Sequence, residues 1–191
     1  MGEIFSMFIA AVLINNIVLA KFLGICPFLG VSNKLDSAFG MSLAVIFVIV
    51  GASIMSYGIY YMVLVPLGIE YMMLITFILV IATFVQFTEM VIKKYSPGLY
   101  KALGIYLPLI TTNCVVLQVT LDNIANEFNF VNMLVYSFAV PIGFMLVLLL
   151  FATIRERLET SDIPEAFKGN PIALVVAAIM ALTFSAFAGL V

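Results

Sequence analysis

Apolar residues run along this chain in blocks too long for a soluble core, and short polar or helix-breaking stretches interrupt them at regular intervals. A helix that crosses a bilayer needs about 20 mostly apolar residues. Six segments fit that length: Ile4 to Phe22, Ala38 to Tyr61, Tyr71 to Ile92, Leu99 to Thr120, Val131 to Phe151 and Pro171 to Val191. The punctuation agrees. Ser96-Pro97-Gly98 is a turn signal between the third and fourth segments. Asn170-Pro171 reads as an N-cap followed by proline at the first helical position, opening the sixth. The predicted fold class is an all-α integral membrane protein with six transmembrane helices, a single transmembrane domain over residues 1–191.

Composition sharpens this reading. The chain is 65% hydrophobic and 9% charged, with a mean hydropathy of +1.26, whereas soluble domains carry roughly 45–50% apolar and about 25% charged residues. That leaves almost no room for a soluble domain, and nothing in the charge pattern forms a basic patch for nucleic acid. Met1-Gly2-Glu3 lacks the basic start of a cleaved signal peptide, so the first segment is expected to be retained. Placement of charge matters more than the net value of −2. With six spans, the first, third and fifth loops share one side. They hold Lys34, then Lys93, Lys94 and Lys101, then Arg155, Arg157 and Lys168, and Lys21 is assigned to the same end of the first span. The second loop, Met62 to Glu70, and the fourth, Leu121 to Phe130, hold no Lys or Arg. The positive-inside rule then predicts cytoplasmic loops 1, 3 and 5 and both termini on the outer side.

Three spans per half make the second half enter the membrane from the opposite side, so the chain reads as an inverted 3+3 repeat with halves at about 1–95 and 96–191. A shift of 88 residues lays Cys26 on Cys114 and the second span on the fifth. Inverted repeats place functional sites near the bilayer midplane, often on broken helices. Both cysteines fall in such interruptions, of the first and fourth spans: Gly24, Pro27 and Gly30 surround Cys26, and Pro108 precedes Thr111-Thr112-Asn113-Cys114. Glycine and proline loosen a helix, and non-helical backbone at membrane depth needs cover from protein or water. Cys26 is therefore expected to face a protein interior. Half-helix N-termini facing one point would favour an anion there.

These are the only two cysteines, and the chain has no histidine. Residue type alone leaves three readings open: small buried apolar thiols, a disulfide, or half of a four-ligand metal site completed by another polypeptide. Zinc and iron–sulfur centres both accept four thiolates. Among other polar residues, Asn15 and Asn16 lie mid-span, either as interhelical hydrogen bonders or lining an ion path. Glu89, near the cytoplasmic end of the third span and four residues before Lys93, is either an ordinary helix pair or an ion-handling group. Gln86 and Gln118 are minor candidates. No Asp, Glu, Lys or Arg is expected at mid-span, so the chain is not expected to hold a carboxylate ion site of its own.

The segments Asn15-Asn16, Lys21 to Ser32, Gln86 to Met90, Leu103 to Cys114 and Ile154 to Arg157 resemble the RnfA/NqrE family, membrane subunits of ion-translocating oxidoreductases. The resemblance covers essentially the whole chain. Cys-Pro-Phe-Leu-Gly-Val-Ser and Thr-Thr-Asn-Cys look more like the RnfA form than NqrE of the sodium-pumping NADH:quinone oxidoreductase. It implies a subunit of a translocase that passes electrons between ferredoxin and NAD⁺, coupled to Na⁺ or H⁺ transport, with no complete active site in this chain. It further implies a [2Fe–2S] cluster within the membrane, held by Cys26 and Cys114 together with two cysteines of the homologous, inverted E subunit. The implied partners are the Rnf B, C, D and G subunits together with that E subunit, in a bacterial or archaeal cytoplasmic (inner) membrane. Backbone amides at Gly24 and Phe28 and the side chains of Thr112 and Asn113 are the expected groups around the sulfurs. The readings that rival this one are a small inverted-repeat secondary transporter and a scaffold subunit with inert cysteines.

Overall fold

The computed structural model describes residues 2–32, 35–95, 110, 113–161, 164 and 167–186. Among them every regular element is helical. Three helices are long and apolar enough to cross a membrane: Leu35–Leu67, Glu70–Val91 and Phe130–Leu158. Three shorter apolar helices accompany them, Ile4–Ile14, Cys114–Ala125 and Asn170–Ser185. Most of the expected fourth span, including Pro108 and Thr111-Thr112, lies outside the described residues, as does the turn signal Ser96-Pro97-Gly98 before it.

The first segment is not one rod. It comprises α1 (Gly2–Ile9), a wide π-helical turn at Ala10–Ile14, α2 (Ile17–Lys21) and α3 (Ile25–Val31). The chain bends at Asn15, and Asn16 caps α2 by accepting the Val18 N–H at 3.2 Å. Its amide nitrogen donates to Val12 O at 3.1 Å and to Gly143 O at 2.9 Å, so the mid-segment asparagine bonds a carbonyl of its own segment and ties the break to the long helix Phe130–Glu159. Phe22 (φ 54°) and Gly24 (φ 82°) then take left-handed conformations and redirect the chain into α3.

The second segment, α4 (Leu35–Leu67), overruns its predicted bounds at both ends. It contains a π-turn at Tyr60–Leu64 next to Pro66. Proline cannot donate to the helix ladder and its ring crowds the preceding turn, so a widened turn absorbs it. Gly68 (φ 66°) closes the helix, with Gly68 N–H on Val65 O and Ile69 N–H on Leu64 O, a Schellman end. Helix α5 is Met73–Tyr95, α6 is Cys114–Ala125, α7 is Phe130–Glu159 and α8 is Asn170–Ser185. The cap of α8 is Gly169 (φ 91°) rather than the expected Asn170, which already lies inside the helix beside Pro171.

α4 and α7 pack along their lengths, α6 sits against α4, and the turn at Ala10–Ile14 lies on α7. Their shared core draws on both halves of the chain: Met41, Val45 and Ile49 of α4, Val115, Val116 and Val119 of α6, and Phe144, Val147 and Phe151 of α7 are essentially fully buried. Close approach is set by small residues. A Cβ on Gly143 would stand 2.8 Å from Val12 O. Gly51 receives the ring of Phe84 from α5. The rest of α5 is largely uncovered, with Ile75, Ile78, Leu79, Phe87 and Met90 exposed.

Candidate functional site

Local sequence builds each cysteine segment differently. Cys114 is the first residue of α6, and Asn113 caps that helix by accepting the Val115 N–H at 3.1 Å. Cys26 stands in the first turn of the seven-residue α3, entered through the left-handed Gly24. The fold brings the two together: the Gly24 N–H donates to Cys114 Sγ at 3.0 Å. Only glycine fits at that seam. Its φ is left-handed, and a Cβ there would meet Val115 Cγ2 at 2.7 Å and Phe144 Cε2 at 3.1 Å.

Depth within the bundle follows from α7. Gly24 lies against Phe144. At about 1.5 Å per residue, Phe144 is about 21 Å along α7 from Phe130 and about 17 Å short of Arg155. The cysteine seam is thus near the middle of α7, one of the three helices long and apolar enough to cross a membrane. The start of α6 adds its own backbone donors at the seam. The first amides of α6 have no partners within that helix, and its N-terminus carries partial positive charge. Asn113 is 4% exposed, and its Nδ2 is buried without an acceptor.

Both thiols are free. Cys114 is half-buried, and Cys26 is exposed on this chain. That departs from the expectation of a protein-covered Cys26, because none of the chain's described helices closes over it. Phe28 is 1% exposed and its ring stacks on Phe151 at 4.1 Å. Its amide is engaged with Gly24 O at 3.2 Å inside α3, so the backbone donor expected there faces the helix rather than the sulfurs. Thr112 lies outside the described residues. Asn15 is exposed and, with Asn16, lines a groove of about 600 Å³ against Ala178, Ala181 and Leu182 of α8. Glu89 is half-exposed in a narrow cleft with Ala44, Phe47 and Val48 of α4 and Ile110, one turn from Lys93 on α5.

Two features escape a reading of the sequence. Arg155 donates through one guanidinium nitrogen to Leu29 O and to Ser32 Oγ, both at 2.8 Å, clamping the end of α3 to α7. Lys21, which charge counting puts at the cytoplasmic end of the first span, instead meets Asp122 Oδ2 at 2.9 Å. Asp122 also accepts from Gln118 Nε2 at 2.7 Å and from the Tyr136 hydroxyl at 3.3 Å. Hydropathy puts it in the fourth loop, but α6 continues through Ala125. The spacing of Gln118 and Asp122 by one helical turn is the available signal.

Helices of this length and hydropathy, with two thiol segments joined at their centre, define a helical membrane protein. The sequence matches the family of Rnf-Nqr subunits, described as membrane proteins, over residues 4–191, and the chain belongs to that family. It is 54% identical over 191 residues to the A subunit of the ion-translocating oxidoreductase complex of Pseudoalteromonas atlantica, covering 100% of this chain and 99% of the relative. Proteins of the same name from Aliivibrio salmonicida and from Vibrio cholerae serotype O1 (El Tor Inaba N16961) show the same identity and coverage.

Proposed function

We propose that this chain is a membrane subunit of an ion-translocating oxidoreductase complex of the Rnf type, and that Cys26 and Cys114 are half the ligand set of a [2Fe–2S] cluster shared with a homologous E-type subunit. The observation that carries this reading is the hydrogen bond from Gly24 N–H to Cys114 Sγ, which joins two cysteine segments 88 positions apart in sequence.

The residues fit such a group. Thiolate-ligated clusters need sulfur ligands and hydrogen bonds to sulfur. This chain offers two thiols, an N–H already on one of them, and a buried amide donor, Asn113 Nδ2, without an acceptor. With two Cys and no His in the sequence, four ligands require a second chain, and among the described residues no three Cys, Asp or Glu form a metal-binding group. The exposure of Cys26 suits a ligand that a neighbour covers. When bound, a [2Fe–2S] cluster supplies one-electron transfer. The chain's own part is to hold two sulfurs near the middle of the apolar layer, to direct the Gly24 N–H onto Cys114 Sγ, and to keep water away with Phe28, Phe144 and Val115.

The architecture that goes with this reading is six spans in an inverted 3+3 arrangement within one transmembrane domain, with the first and fourth spans broken at the cysteines. Both termini lie on the outer side of the cytoplasmic membrane and loops 1, 3 and 5 face the cytoplasm. Arg155 and Arg157 at one end of α7, and the lack of Lys or Arg in the sequence Leu121 to Phe130 before its other end, agree with that orientation. The coupled cation is Na⁺ or H⁺, and the B, C, D and G subunits complete the complex. The naming of the relatives as A subunits favours the ferredoxin:NAD⁺ form over the NADH:quinone form.

Co-expression with the E-type subunit tests the reading. The pair should carry iron, acid-labile sulfide and an electron paramagnetic resonance signal, and Cys26→Ala or Cys114→Ala should each remove all three. Iron at wild-type level in either variant would refute the ligand assignment.

A further inference from the structure

The cluster around Asp122 lies on the same helix as Cys114, eight residues on. Tyr136, which reaches Asp122, and Ser137, which accepts from the neighbouring Asn123 at 3.0 Å, mark its level on α7. That level is about 12 Å from Phe144, toward the Phe130 end. The carboxylate is enclosed, with its side chain 15% exposed, while that of Lys21 is 47% exposed. The anion is therefore fixed within the bundle, held by Gln118 and Tyr136, and its cationic partner has an open way out.

Lys21 is also tied to the cysteines. It ends α2 three residues before Gly24, so the stretch Lys21 to Gly24 is pinned to α6 at two points, Cys114 Sγ and Asp122. Between the pins Phe22, a bulky residue, stands at φ 54°. Such a conformation persists only where its surroundings over-determine it. A negative charge gained by the group the cysteines would hold attracts the Lys21 ammonium, three residues from Gly24. Once the ammonium turns away, Asp122 is an enclosed carboxylate without a counter-ion, a costly state that a replacement cation relieves. The oxygens available are those of Asp122, the Gln118 amide and the Tyr136 hydroxyl, hard donors suited to a small cation.

We propose that Asp122 is a binding site for a small monovalent cation, occupied by the Lys21 ammonium in the oxidised state and taken over by an incoming Na⁺ or H⁺ when the cluster held by the cysteine pair is reduced. This rests on reading Cys26 and Cys114 as cluster ligands. The charges balance. One electron, supplied by the complex's own donor, would reduce the cluster that Cys26 and Cys114 hold when it is bound, and one cation enters at Asp122. Lys21 keeps its proton and changes only its partner.

The test uses the intact purified complex and a redox titration followed by electron paramagnetic resonance. The potential of the cluster signal is measured against NaCl at fixed pH, with choline chloride holding ionic strength, and against pH at fixed NaCl. The wild-type potential should rise with the coupled cation, in the NaCl series for Na⁺ and in the pH series for H⁺. Asp122→Asn should flatten that response at wild-type iron content. Lys21→Gln removes the competitor, so the oxidised complex should bind the cation at least tenfold more tightly in a direct titration. A wild-type potential indifferent to both series, or an unaltered response in Asp122→Asn, overturns the site. Should Asp122→Asn fail to assemble, an unchanged cation affinity in Lys21→Gln overturns it instead. A wild-type complex without a cluster signal removes the ligand reading itself, an outcome distinct from each of these.

Discussion

The two cysteine segments carry the same residue on unlike supports. Cys114 begins a twelve-residue helix whose own cap, Asn113, and own buried face, Val115, Val116 and Val119, hold it in place. Cys26 sits on a seven-residue helix approached through two left-handed residues and held from outside by α7, through Phe151 against Phe28 and Arg155 on Leu29 O and Ser32 Oγ. One sulfur is positioned by local structure and the other by tertiary contacts. The two thiols thus stand on a fixed segment and a hung one. Damage to α7 should reach Cys26 before it reaches Cys114.

The largest effect expected short of removing a thiol is at the seam common to both. Gly24→Ala combines a left-handed backbone with contact of its new Cβ at 2.7 Å from Val115. Together these should cost about 2–4 kcal/mol, read as a lowered unfolding temperature of the purified complex. The matching substitution at Gly40, where a Cβ meets nothing within 4 Å, should be neutral or stabilise by up to about 1 kcal/mol. Equal losses at both positions would break the claim that the seam is special.

Arg155→Ala should separate the two segments. It strips a charged donor from Leu29 O and from the fully buried Ser32 Oγ, a loss of about 1.5–3 kcal/mol. Hydrogen exchange should quicken in peptides covering 25–32 and stay unchanged over 114–125. Equal quickening in both would mean that α7 supports them alike.

The smallest effects compare the two asparagine caps. Asn113→Ala removes one cap bond, worth about 1 kcal/mol. Asn16→Ala removes a cap and two further bonds, to Val12 O and Gly143 O, and should cost about 2 kcal/mol or more. A reversed order in thermal unfolding would contradict the role given to Asn16 at the break.

Much of the architecture is legible in hydropathy, because a helix in lipid must satisfy its own backbone and so declares itself by length. The bodies of α4, α5 and α7 fall where their apolar runs predict. The interruption at Cys26 is legible from Gly24 and Pro27, since those residues act locally. Pairings across the fold are not. Lys21 groups with the cytoplasmic lysines because charge counting assumes that the first segment runs straight through, whereas bends at Asn15 and Phe22 hold it beside Asp122. Hydropathy falls at Leu121-Asp122-Asn123, so Asp122 passes for loop although its helix continues. Arg155 is visible as a charge at a helix end, but its target, the terminus of α3, exists only once α3 and α7 meet. Asn170 looks like a cap on residue preference, and Gly169 takes that place because the chain there adopts a positive φ.

The ring of Phe84 seated on Gly51 has a practical consequence for handling the protein. α5 offers mostly bare hydrocarbon elsewhere, which costs nothing in a bilayer, where acyl chains are as apolar as leucine. In a micelle the same helix loses its lipid neighbours and depends on the seams it shares with α4 and with α6. The cleft around Glu89 is built across that seam, from Ala44, Phe47 and Val48 on one side and Val85 and Thr88 on the other. Extraction in short-chain detergent should therefore disturb the surroundings of Glu89 while the cysteine seam, tied to α6 and α7, keeps its shape, whereas nanodiscs should preserve both.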